Sequence, residues 1–167
     1  GYGLGADGND LTLADFGRLA DVFYIGGTKC GAFFGEALVL TDAGIDRRFK
    51  AHMKQFGAVL AKGWILGLQF YTLLHDGTYF AITKRADEYA VRIRQAFRQK
   101  GTEELVVSPT NQQFIILSRA QAQALESKYI FEAMGPVDDD HVCVRVCTSW
   151  STKAEEVDQL VADILNL

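Results

Sequence analysis

The chain has 167 residues, 49% of them hydrophobic, which is enough for one large domain or two small ones with a real core and excludes a natively disordered chain. Lys plus Arg number 17 against 21 Asp plus Glu, a formal charge of -4, and no basic stripe interleaved with aromatic residues suits a phosphate backbone, so nucleic acid is excluded as a partner. Three cysteines, Cys30, Cys143 and Cys147, leave one unpaired in any scheme, and a reduced, cytoplasmic setting is expected.

Taken in chain order, "GYGLGADGND" reads as a glycine-rich loop. Its "GLGADG", residues 3–8, matches G-x-G-x-x-G, but a dinucleotide turn needs a strand ahead of the first glycine and a helix opening at the third. The residues supply no such strand, and Asp21, near the spacing of a ribose-binding acid, opens the following strand where that acid should close it. "LTLADFGRLA" predicts a short helix feeding the strand "DVFYIGG", and "GEALVL" is the next strand. From Asp46 to about Leu74 the pattern is helical with a break near Gly57, and a further helix runs from about Tyr79 to Lys100, ended by Gly101. Within the first of these, "GAVLAKGWILGLQFYTLL" is nearly long enough to span a bilayer, but Lys62 and Gln69 interrupt it. It is expected to be a helix buried on most sides, in a core or a subunit interface, and not a membrane span. The first residues show no charged segment followed by an apolar one, so no signal peptide is expected.

Beyond residue 101 the texture changes. "SPTNQQFIILS" reads as turn then strand, "RAQAQALESK" as helix, "GPVDDD" as turn and "HVCVRVCTSW" as strand, so residues 102–167 are predicted to form a compact β-α-β-α unit. The closing helix carries a capping box at Thr152 and Glu155, with Ala154, Val157, Leu160, Val161 and Ile164 on one face. In an extended strand Cys143 and Cys147 lie about 13 Å apart, too far for a disulfide, and a lone CxxxC pair with three histidines in the chain is a weak zinc set, so no metal is expected. His75 and His141 have no nucleophile partner and are expected in turns. Glu103, Glu104 and Asp138 to Asp140 read as solvated charge.

Two cations stand out. Lys29 follows Gly26, Gly27 and Thr28 at the end of an apolar strand and precedes "CGAFFG", so it has hardly any polar neighbour in sequence. "GGTK" is not a P-loop, which needs G-K followed by Ser or Thr after a longer loop. A lysine in such a setting is expected to be desolvated, which favours the neutral amine that Schiff-base chemistry uses, and the small flanking residues would let a flat ring approach the backbone. Arg145 shares a strand face with Cys143 and Cys147 while Val142, Val144 and Val146 take the other. A guanidinium on so apolar a face calls for a planar anion such as a carboxylate.

These residues carry a resemblance. "ADVFYIGGTKCGAFFGEALVL" is similar to the cofactor-lysine segment of the threonine aldolase and β-eliminating lyase family, pyridoxal-phosphate enzymes of the aspartate-aminotransferase fold type, and the likeness continues through "KQFGAVLAKGWILGLQF", "DGTYFAITKRADEYA" and "VCVRVCTSW". What it implies is an α/β chain in which residues 1–101 form the C-terminal part of a fold-type I large domain with interface helices, and residues 102–167 a small C-terminal α+β domain. It implies Lys29 as the lysine holding pyridoxal 5'-phosphate as a Schiff base, Thr28 as the hydroxyl residue beside it, and Arg145 as the partner of the substrate's α-carboxylate. Lys54 matches a basic position close to the cofactor and reaching across a subunit interface, with Lys50 or His52 as alternative counterparts. The implied reaction is cleavage of the Cα–Cβ bond of L-threonine or L-allo-threonine to glycine and an aldehyde, in a homo-oligomer, dimer or tetramer, with shared active sites. The alternatives are a β-eliminating lyase of the tyrosine phenol-lyase or tryptophanase kind, or a catalytically incompetent domain. The family's Asp-Gly-Ala-Arg stretch, phosphate-cradling loop and ring-stacking residue are absent from these residues, so the chain reads as the C-terminal half of such an enzyme, inactive alone.

Overall fold

The computed structural model describes the backbone of residues 1–167 and the side chains of all but residues 43 and 46. The chain opens on a one-turn helix, α1 (Tyr2–Gly5), not on the loop expected there, because Leu4 and Gly5 both donate backbone bonds of 3.0 Å to the Gly1 carbonyl. Helix α1 lies close on the long helix α6 (Thr78–Gln99), and only a glycine permits this: a Cβ on Gly5 would stand 2.9 Å from the Lys84 backbone nitrogen. Helix α2 (Leu13–Leu19) starts at a capping box in which Thr12 and Asp15 satisfy each other's amides. The expected strands follow as β1 (Val22–Gly26) and β2 (Glu36–Leu40), paired antiparallel with Val22 opposite Leu40 and Gly26 opposite Glu36.

Between this hairpin and α6 come α3 (Ala43–Asp46), α4 (Phe49–Gln55) and α5 (Trp64–His75). The break expected near Gly57 is real, with Gly57 at φ 68°. Of the two settings expected for it, α5 does not take the core: within the chain it buries Phe70 and Leu73 and leaves Trp64, Ile65, Leu68 and Tyr71 exposed. Among the described residues no helix is long and apolar enough to cross a membrane.

The remaining elements are β3 (Glu104–Val106), β4 (Gln112–Ser118), α7 (Arg119–Glu126), β5 (Glu132–Pro136), β6 (His141–Cys147) and α8 (Ala154–Leu165). The strands form one antiparallel sheet in the order β3-β4-β6-β5, so the unit is β-β-α-β-β-α and not the predicted β-α-β-α. Strand β3 has three residues and a bulge, and β5 is bulged between Ala133 and Gly135 and ends on a proline, so neither shows the alternation by which strands are recognised. Glu104 is accordingly no solvated charge: its side chain is 6% exposed and pairs with Arg98. The closing helix is capped one residue later than predicted, with the Glu156 carboxylate accepting the Lys153 amide, while Thr152 Oγ1 accepts the Ser149 amide at 2.9 Å.

Two hydrophobic cores result. One gathers Ile93, Phe97, Ile115, Leu117, Val144, Val157 and Ile164 between the sheet and the helices, and the other gathers Ile25, Cys30, Ala32, Leu73 and Tyr79 behind the hairpin. Helix α6 supplies Tyr79 to one and Ile93 and Phe97 to the other, so it fixes the hairpin against the sheet.

Candidate functional site

Lys29 sits at the centre of a 3-10 turn, Thr28–Cys30, immediately after β1. The turn is held on several sides. Cys30 and Ala32 both donate to the Gly27 carbonyl, at 2.8 and 3.1 Å. The Tyr79 hydroxyl donates to the Gly26 carbonyl at 2.9 Å, the Tyr2 hydroxyl donates to the Lys29 carbonyl, and Gln69 Oε1 accepts the Phe33 amide at 2.7 Å. Gly27 is confined by packing, since a Cβ there would lie 2.7 Å from both the Gly35 carbonyl oxygen and Phe70 Cζ. Cys30 and Ala32 point into the core and leave Thr28 and Lys29 outward.

The Lys29 side chain is therefore exposed, and the expected desolvation is absent in this chain. The apolar character of "DVFYI" and "CGAFFG" belongs to neighbouring residues that turn inward or to surface aromatics, Phe33 being 89% exposed, rather than to a pocket closing over the amine. Among the described residues Lys29 Nζ takes part in no hydrogen bond or ion pair, so the amine is unengaged.

Arg145 lies on β6 of the four-stranded sheet. Partial burial raises the Cys147 thiol above its ordinary value, the Arg145 charge pulls it back, Glu132 adds to the rise and the Lys29 charge opposes it. Arg145, Cys143 and Cys147 do share a face, with Gln112 and Phe114 of β4 and Glu132 of β5 on the same side, while Val144 and Val146 face the core. The anion that Arg145 was expected to need is present: Nη2 pairs with the Glu132 carboxylate, Nη1 donates to Gln112 Oε1 at 3.2 Å, and Nε is buried without a partner. Lys54 is exposed on α4, which packs chiefly on α3, and among the described residues no hydrogen bond or ion pair joins it to the Lys29 turn.

Sequence reasoning missed Tyr2, Gln112 and Glu132, whose places follow from tertiary packing and from the unrecognised strand β5. It also missed Asp87. This α6 carboxylate is 3% exposed, neither oxygen has a hydrogen-bond partner, and burial raises it from its ordinary value to about 7. It lines a cavity of about 620 Å3 between α1, α6 and the segment at Val107 and Pro109, away from Lys29 and Arg145, so concavity alone does not mark the candidate site. His141 holds the turn role expected of it, its Nδ1 lying 2.9 Å from the Asp138 carboxylate.

No family model matches the chain. Over 149 residues, 86% of the chain, it is 28% identical to a low specificity L-threonine aldolase of Pseudomonas sp. (strain NCIMB 10558) and 26% identical to one of Pseudomonas aeruginosa, in each case covering 41% of the relative. Among solved structures, that of Leishmania major threonine aldolase matches 98% of the chain with a TM-score of 0.91 and 35% identity, over 48% of its own length. The chain thus spans about half the length of the relatives it matches. Sequence over most of the chain and fold over nearly all of it are thus similar to a C-terminal part of threonine aldolases.

Proposed function

We propose that the chain contributes the cofactor lysine and the carboxylate-binding arginine of a lyase that cleaves L-threonine or L-allo-threonine to glycine and an aldehyde with pyridoxal 5'-phosphate. What supports the reading is an unengaged amine, Lys29, on a braced turn and a guanidinium, Arg145, on the open face of the sheet, in a chain whose fold follows that of a threonine aldolase. The donor set fits the cofactor: a primary amine on a braced turn, with no competing ion pair and the Thr28 hydroxyl beside it, suits attachment of an aldehyde. When bound, pyridoxal phosphate supplies that aldehyde and an electron sink for the Cα–Cβ electrons.

The chain's own residues do the rest of what can be assigned. Lys29 Nζ presents the nucleophile, and the bonds from Tyr2, Tyr79 and Gln69 keep its turn from drifting. Arg145 grips the α-carboxylate and thereby fixes the rotation of the scissile bond, an orientation effect. Lys54 belongs in this proposal as a basic residue serving a neighbouring subunit's site. Residues 1–101 are taken as the large-domain part and 102–167 as the small domain, in a cytoplasmic homo-oligomer.

Product identity tests the reading. These 167 residues joined to the N-terminal half of a relative, given cofactor and threonine, should release glycine and acetaldehyde, whereas the 167 residues alone should release neither. Ammonia in place of glycine would assign the β-eliminating chemistry instead.

A further inference from the structure

We infer that Glu132 is a built-in competitor for the carboxylate-binding arginine and sets how tightly Arg145 holds an amino-acid carboxylate. The inference rests on the reading of Arg145 given above.

Glu132 and Arg145 are direct partners in the β5–β6 register, so their side chains leave the same face of the sheet at adjacent positions. Gln112, diagonal to Arg145 across β4–β6, holds the other end of the guanidinium. A carboxylate is gripped best when it takes two parallel N–H groups at once. Glu132 takes Nη2 alone and leaves Nε buried and unpartnered. A second carboxylate that claims Nε and Nη2 together must therefore take Nη2 from Glu132, and two carboxylates at one guanidinium also repel.

The contact is placed to be exchanged. The Glu132 side chain is 58% exposed and that of Arg145 31%, and exposed ion pairs hold weakly against water and salt. Glu132 lies on the edge strand of the sheet, ahead of a bulge, where it can swing away without disturbing the ladder that carries Arg145. In the absence of an amino acid, Glu132 keeps the arginine extended across the face, and an arriving carboxylate is bound at the cost of that pair.

The test follows the Arg145 Nε–H resonance by ¹H–¹⁵N NMR in the 167-residue chain while glycine is added, with Arg145→Lys to assign the signal. Glu132→Gln, which keeps size and an acceptor oxygen but removes the charge, should lower the half-saturating glycine concentration roughly threefold, about what an exposed ion pair is worth. Glu132→Ala should do the same, so the test survives if the amide finds a partner of its own. A response of Arg145 to glycine with the half-saturation unchanged or raised in both variants overturns the role of Glu132 and leaves that of Arg145 standing. No response in any chain overturns the carboxylate role of Arg145 and the inference with it.

Discussion

Asp87 is the residue most at odds with its surroundings. Burial is the main cause of its raised value, the nearby Asn111 amide, short of a hydrogen bond, and the Gly1 ammonium work against it, and Asp7 and Glu88 add to it. In the folded chain its carboxyl keeps its proton up to about pH 7, while in the unfolded chain it ionises near the ordinary 3.8. Between those values the folded state binds one proton more than the unfolded, so stability falls as pH rises and levels off above about pH 7. Asp87→Asn removes this term. Urea unfolding should find the variant gaining on the parent steadily from about pH 4 to about pH 7 and then holding a constant lead, the gain being on the order of a few kcal/mol. A parent chain that gains on the variant as pH rises would mean that a cation holds the ionised form. Nothing in the sequence marks Asp87, because its burial comes from α1 and the segment at Val107 and Pro109 meeting over α6. Lys29 and Arg145 stand out in the sequence by their apolar settings, yet the exposure of one and the Glu132 partner of the other depend on which neighbours fold inward.

At the scale of elements, the turn after β1 is the part most sensitive to a small change. A methyl on Gly27 would meet the Gly35 carbonyl oxygen, Phe70 and Ala32, at 2.7, 2.7 and 2.9 Å, and the first of these is backbone that cannot swing aside. Gly27→Ala should cost about 1–3 kcal/mol of stability, read as a lower urea midpoint, and the same overpacking should push the Thr28–Cys30 turn off its Tyr2 and Tyr79 bonds. An unchanged midpoint would show that β1 and β2 yield more readily than their pairing implies. Elements with a long, clean period were legible in advance: α6 with its glycine stop, α8 with its apolar stripe, and β4 and β6 with strict alternation. Strands β3 and β5 were not, since a bulge in each, and in β5 a glycine and a proline, break the two-residue period that reveals a strand.

For the molecule as a whole, α6 decides the arrangement, because one rigid helix enters both cores and so fixes the hairpin that carries the Lys29 turn against the sheet. The exposed row of Trp64, Ile65, Leu68 and Tyr71 on α5 suits the subunit interface proposed for such a chain, although the sequence alone left core and interface open. The central claim is that this arrangement serves to present Lys29 to an aldehyde cofactor. The most direct measurement is to incubate the 167-residue chain with pyridoxal phosphate, reduce with borohydride and locate the pyridoxyl label by peptide mapping. The label is expected on Lys29 and should vanish in Lys29→Ala, whereas a label mainly on Lys54 or Lys62, or one that survives the substitution undiminished, would contradict the account.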